Sequence, residues 1–346
     1  MSTTSTRHFP FLALASAALS FLPGIARAED TFNVVEDEKA ITITRGAGEN
    51  AVPVLTYHKA KVAPPAGAPD AFSRSGFIHP LCAPSGEPVT GIHPPDHLHH
   101  IGLWHAWVDT VHGGRKLDFW NLLKGEGTVQ YAKTLALHRE GDDGNGNGNG
   151  GGDGGGGGAG FTVLQNHVAL GKDGAAGQTI LQEKFTIKIR LAEGTYIVDH
   201  DTEQTNVTDQ ALELPAYRYG GCIAYRAPNH WDKTNSDYLT SEGKNRDNGH
   251  TTRGRWCAMF GPTAKGDATV AILCHPGNHD APQRMRIWPP DTNNGAIFFN
   301  YVPIQETGWQ LEPGKPVTMR YRILVSDARP DPKAIDAAWG RYSGAK

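Results

Sequence analysis

The stretch TILQEKFTIKIRLAEGTYIVDHDTEQT, residues 179–205, decides the fold class. Leu181, Phe185, Ile187, Ile189 and Leu191 alternate with Gln182, Lys184, Thr186, Lys188 and Arg190. Side chains on a strand point to opposite faces with a period of two, so this pattern predicts a half-buried strand. A second strand pattern follows over residues 195–205, and Ala192-Glu193-Gly194 between them is turn-forming, so the two runs read as one long hairpin.

Outward from this hairpin, further runs rich in β-branched and aromatic residues lie at 31–36, 40–45, 52–58, 77–81, 127–138, 161–170, 212–219, 221–225, 255–261, 268–275, 296–301 and 316–325. The segment 86–90 continues the β pattern towards a histidine-rich stretch. Only residues 332–342, with Ala334, Ile335, Ala338 and Trp339 after Pro330, carry helical spacing. The fold class expected is therefore all-β, a large antiparallel β-sandwich with one short C-terminal helix.

Before that domain stands a leader. Arg7 precedes an apolar run over 9–22, and Ala26-Arg27-Ala28 places small residues where a signal peptidase reads them. Residues 1–28 are expected to be a cleaved signal peptide, making the mature protein periplasmic or extracellular. No later segment reaches the roughly 18 consecutive apolar residues of a membrane span. Residues 29–346 contain no linker and are expected to form a single β-sandwich domain. Within 141–160, 13 of 20 residues are glycine, too few side chains to offset chain entropy, so this tract is expected to be a disordered insertion at a hairpin tip.

Without Arg7 and Arg27 the chain carries 31 basic against 36 acidic residues and no basic run. That balance argues against nucleic acid as a partner. Cys82, Cys222, Cys257 and Cys274 contain no Cys-x-x-Cys pair, which excludes a zinc knuckle and leaves disulfides or buried free thiols.

Six of the 16 histidines fall between His93 and His112, and three of the eight tryptophans between Trp104 and Trp120. Polar acid/base groups beside large aromatic faces are how a binding site is furnished. Read as an extended strand, residues 97–107 place His97, His99 and His105 on one face, with Asp96, His100 and Trp104 on the other. Histidines at i and i+2 can share a divalent metal, with His93, His275 or Asp96 as third ligand, although no established zinc spacing is present. As acid/base groups, His97, His99 and His100 would need an orienting carboxylate, and Asp96 and Asp118 are nearest in sequence. Downstream, Arg218-Tyr219-Gly220-Gly221, Glu242, Arg253, Arg255 and His275 add guanidiniums, a carboxylate and an imidazole, while Trp104 and Trp120 offer faces for a sugar ring.

The blocks Asp96-His97-Leu98-His99-His100-Ile101-Gly102-Leu103-Trp104, Asp118-Phe119-Trp120, Arg218-Tyr219-Gly220-Gly221, Thr240-Ser241-Glu242-Gly243-Lys244, Arg253-Gly254-Arg255-Trp256 and Ala271-Ile272-Leu273-Cys274-His275-Pro276 resemble, in order, those of a secreted bacterial family labelled methane oxygenase PmoA-like. Leu98 and Ile101 depart from the proline and arginine of that pattern. The resemblance implies a supersandwich similar to galactose mutarotase-like proteins and a saccharide ligand. Catalysis is then expected from His97, His99, His100 and Glu242, by epimerisation, lysis or hydrolysis, with Asp96, Trp104, Asp118, Trp120, Arg218, Arg253, Arg255 and His275 binding substrate. No cofactor is firmly implied. The alternatives are a non-catalytic saccharide-binding module, or a metal-dependent oxygenase or hydrolase with His93, His97 and His99 as ligands.

Overall fold

The computed structural model describes Met1 and residues 31–139, 158–171 and 176–344. The expected signal peptide and most of the glycine tract lie outside the described residues. Three antiparallel sheets make up the fold. The first runs edge to edge as β1 (Phe32–Glu36), β2 (Ala40–Arg45), β3 (Val52–His58), β4 (Phe77–Leu81), β5 (Leu103–Ala106), β13 (Gly221–Arg226), β18 (Phe298–Val302) and β17 (Arg284–Ile287). The second is β14 (Asp237–Thr240), β15 (Trp256–Thr263), β16 (Gly266–Cys274), β20 (Val317–Ser326), β11 (Thr195–Asn206), β10 (Gln178–Ala192), β9 (Ala159–Ala169) and β8 (Gly127–His138). A small third sheet joins β19 (Trp309–Leu311), β12 (Leu212–Leu214), β6 (Thr110–His112) and β7 (Arg115–Leu117).

The expected hairpin is β10 and β11, in continuous register from Leu181 opposite Asn206 to Ala192 opposite Thr195. Its turn narrows to Glu193 and Gly194, both at positive φ, the pair that a type I′ connection requires. Alternate residues of β10 face the first sheet, and rings close the gap between layers. Tyr57 of β3 meets Phe161 of β9 at 5.0 Å, and Tyr301 of β18 stacks on Tyr321 of β20 at 5.8 Å. One apolar core therefore runs through both large sheets, and the sheets remain open rather than closing into a barrel.

The helix α1 (Pro332–Ser343) covers the outer face of the second sheet, packing Ile335 and Ala338 against Trp256, Ala258, Ala271 and Leu273. Asp331 caps it by accepting from Lys333 N and Ala334 N, Pro332 fits its first turn, and Gly344 ends it in the left-handed region.

Several expectations change. The run 212–219 is a strand only over Leu212–Leu214, because Pro215 lacks the N–H a ladder needs. The glycine tract already belongs to β9 at Ala159 and Gly160. A Cβ on Gly160 would lie 2.1 Å from the Ile187 carbonyl oxygen, so the absence of a side chain there permits close strand contact. All four cysteines are free and buried.

Candidate functional site

A further change concerns residues 97–107. Only Leu103–Ala106 is strand; the histidines before it sit on a closed loop. Ile92 bridges Ile101, His93 N donates to His100 O at 2.8 Å, and consecutive turns close from His97 N to Pro94 O and from His100 N to His97 O. Pro94 and Pro95 cannot donate to a ladder, so local i to i+3 bonds replace cross-strand ones. Gly102, at φ +72°, then swings the chain into β5 where any Cβ would collide with the Ile78 carbonyl oxygen at 2.3 Å.

This loop gathers His97, His99 and His100 instead of alternating them. His97 and His100 stack at 4.7 Å, and His99 stands edge-on to His100 at 4.8 Å. His105 points the opposite way, into the sandwich core, so the predicted face shared by His97, His99 and His105 does not exist.

The three histidines line a cleft of about 100 Å³ on the outer face of the first sheet. Its floor is His100 stacked on Phe298 at 4.7 Å, with Trp104 beneath at 5.1 Å. Trp288, 4.8 Å from His97, and Trp120, 5.4 Å from Tyr219, form its walls. The volume is well below the roughly 300–1,000 Å³ of a drug-sized pocket, so the cleft suits one end of a ligand whose remainder lies in solvent.

The polar groups around it divide by whether they are already partnered. Arg226, buried on β13, holds Asp96 with a two-pronged ion pair at 2.8 and 2.9 Å. Asp96 Oδ2 also accepts from His97 Nδ1 at 2.9 Å. Burial would raise the Asp96 carboxyl, but the bonds from His97 and Arg226 outweigh it and hold it at about 2. His97 is thereby oriented with Nε2 left free of any hydrogen-bond partner among the described residues. Burial, then the neighbouring His97, pushes His99 down to about 3, and burial with His99 beside it pushes His100 well below the ordinary imidazole value. Both rings are neutral near pH 7 and can hydrogen-bond a ligand without adding charge.

Other predicted residues support this cleft or lie elsewhere. Asp118 is saturated by its own turn, accepting from Trp120 N, Asn121 N and Asn121 Nδ2, and so positions Trp120. Arg218 reaches the cleft. Glu242 does not: it accepts from Ser241 Oγ and lies 4.0 Å from Arg255, whose guanidinium packs over Trp339 of α1. That places Glu242 and Arg255 by the second sheet's outer face, and the structure does not bring Glu242 to the histidines. Arg253 donates to the carbonyls of Asp280 and Pro282, and His275 Nδ1 accepts from Gly277 N, both outside the cleft. Sequence reasoning missed Arg226, Arg286 and Trp288. The alternation Arg284-Met285-Arg286-Ile287 was a strand signal, and it is β17.

His105 belongs to a second cluster, sealed between the sheets. Glu183 Oε2 accepts from His105 Nδ1 at 2.8 Å and His167 Nε2 at 2.9 Å, while Oε1 accepts from Thr202 at 2.6 Å. Gln204 Nε2 donates to His105 Nε2 at 3.1 Å and Gln204 Oε1 accepts from Trp107. Among the described residues this is the one group of three metal-type side chains with convergent atoms; His93, His97 and His99 do not form one. The convergent atoms, His105 Nδ1, His167 Nε2 and Glu183 Oε2, satisfy one another at hydrogen-bond distance, so the structure shows them as a hydrogen-bond network.

Among solved structures the chain is similar to a galactose mutarotase related enzyme from Lactobacillus acidophilus, with 10% identity, 86% of this chain and 98% of that chain covered, and a TM-score of 0.39. It is also similar to a galactose mutarotase-like protein from Clostridium acetobutylicum, at 8% identity, 87% and 100% coverage and a TM-score of 0.39. For heparan sulfate lyase HepC from Pedobacter heparinus the values are 7% identity, 87% and 37% coverage, and a TM-score of 0.38. Among curated proteins there is no match. The profile of the family of unknown function DUF6807 matches residues 48–340, which include every strand from β3 to β20, and the chain belongs to that family.

Proposed function

We propose that this chain is an exported carbohydrate-active enzyme whose histidine cleft binds a saccharide and whose His97 moves a proton on it. The observation that carries this reading is the Asp96–His97 pair at the mouth of an aromatic cleft. Asp96 accepts a hydrogen bond from Nδ1–H and so leaves Nε2 as the basic atom, the arrangement a general base needs. Trp120, Trp288 and Tyr219 line the cleft as apolar contacts for a pyranose, the two tryptophans with only 1% and 3% of their surface exposed. The reaction class is epimerisation, lysis or hydrolysis, each of which requires proton transfer at a ring carbon or oxygen. His97 and Asp96 take the roles that the sequence assigned to histidine and Glu242.

The test is a glycan panel read by mass spectrometry for product and by calorimetry for binding. His97→Gln is expected to lower turnover about 10²- to 10⁴-fold while the melting temperature and sugar affinity stay near wild type. Unchanged turnover in His97→Gln removes His97 from the chemistry. The neutral state of His99 and His100 favours a second reading, a non-catalytic saccharide-binding module; sugar affinity without any product from the wild type would establish it. The metal-dependent oxygenase or hydrolase that the PmoA-like resemblance implies has weaker support, because His93, His97 and His99 do not bring their ligand atoms together among the described residues.

A further inference from the structure

Two guanidiniums in the cleft have no acidic partner. Arg218, from the segment before β13, and Arg286, from β17, lie over the same Tyr219 ring, at 5.6 and 5.3 Å from its centroid. Neither side chain makes an ion pair or hydrogen bond among the described residues, whereas Arg226, Arg246, Arg253, Arg255, Arg284 and Arg322 each pair with a carboxylate. Arg286 is half-buried and Arg218 exposed, so Arg286 is the more desolvated of the two. Burial, and next the charge of Arg218, lowers the Arg286 pKa, which records like charges held together.

The nearby carboxylates cannot relieve this repulsion. Asp96 is bound by Arg226 and His97, and Asp118 by the backbone and side chain of its own turn. The Tyr219 hydroxyl exchanges hydrogen bonds with Asn121, which fixes the ring that both cations cover. The donors of Arg218 and Arg286 are thus held at one cleft wall beside the neutral imidazole of His99.

We infer that Arg218 and Arg286 form an oxyanion subsite, and that the saccharide taken by this cleft is acidic, carrying a carboxylate or a sulfate next to the ring that stacks on the aromatic wall. A planar guanidinium presents paired donors that match either group, and a bound oxyanion would neutralise the two like charges at once. This rests on the saccharide reading above and adds the class of sugar.

The test measures binding of the full chain by calorimetry to four probes: a galacturonate trisaccharide, a sulfated disaccharide, an uncharged galactose trisaccharide, and inorganic sulfate. Either acidic sugar is expected to bind about 10- to 100-fold more tightly than the uncharged one, with that advantage falling as salt rises. Whichever acidic sugar binds more tightly tells carboxylate from sulfate. Arg286→Gln and Arg218→Gln should each remove most of the advantage, lowering affinity for the acidic sugars more than for the uncharged one. Arg286→Lys, which keeps the charge on β17 and loses the fork, should fall between wild type and Arg286→Gln. If the uncharged sugar binds as well as the acidic ones, or if both glutamine variants keep the preference while folded, the oxyanion subsite is overturned and the saccharide reading stands. Sulfate bound through Arg286 with no sugar bound at all would retain the subsite and overturn the saccharide reading. Absence of binding by all four probes overturns both.

Discussion

One run of nine residues, from His97 to His105, feeds two histidine clusters with opposite character. On the outer face, His97, His99 and His100 sit beside two arginines without acidic partners and a ring nitrogen without a hydrogen bond among the described residues. On the inner face, His105 joins His167 and Glu183 in a network where both carboxylate oxygens are occupied and solvent is excluded. The teaching lies in what is left unmet. A buried network whose shared carboxylate is fully occupied holds two sheets in register, although His167 Nδ1 has no partner among the described residues. A half-met cluster at a surface cleft is where a ligand can add something. Abundance of histidine does not separate the two cases; the partners do.

Acid should break both clusters. Burial holds His167 and His200 at about 4 and His99 at about 3, against 6.5 for a free imidazole. Because these folded values are depressed, the unfolded chain binds more protons between pH 6.5 and about 4. The stabilisation is complete above pH 6.5 and is lost as pH falls through that window, at up to about 1.4 kcal/mol per pH unit for each proton taken up. Chemical denaturation at a series of pH values measures this slope; a flat profile from pH 7 to 4 contradicts the buried neutral state of these rings.

Removing the shared carboxylate of the inner cluster isolates its role. Glu183→Ala should cost about 3–5 kcal/mol, since it leaves Arg74 and two imidazoles buried without their acceptor or counter-charge. Folded protein that remains should bind cleft ligands as wild type does. A loss under about 0.5 kcal/mol by urea denaturation would show that the network is dispensable to the fold.

The smallest expected effect sharpens the outer boundary of the site. Glu242→Gln, at an exposed turn 4.0 Å from Arg255, should change stability by less than about 0.5 kcal/mol and leave turnover unaltered. A drop in turnover of tenfold or more would return Glu242 to the chemistry.

Much of the fold was legible in local pattern. The β10–β11 hairpin, the strand-rich composition and the capped C-terminal helix all follow from spacing of two or 3.6 residues and from turn chemistry. The inner network was partly visible as well: Glu183 lies on the apolar parity of β10, between Leu181 and Phe185, and His167 and His200 occupy the inward rows of β9 and β11. A charged residue on an apolar row is a signal in itself. The outer loop differs from the alternation expected over 97–107 because Pro94 and Pro95 just before it and Gly102 within it favour turns over a ladder.

By itself, then, the sequence determined that the chain makes antiparallel sheets, where the main hairpin turns, and that histidines and tryptophans concentrate near one bend. Only the tertiary structure decided which of them meet. Arg226 reaches Asp96 across 130 positions of chain, and Arg286 shares a tyrosine with Arg218, because β13 and β18 lie between β5 and β17 in the first sheet. Strand faces are set by neighbours one and two residues away, and the sequence carries them openly. Strand order is set by which apolar faces bury best against each other over the whole molecule, and that balance cannot be read from any one stretch.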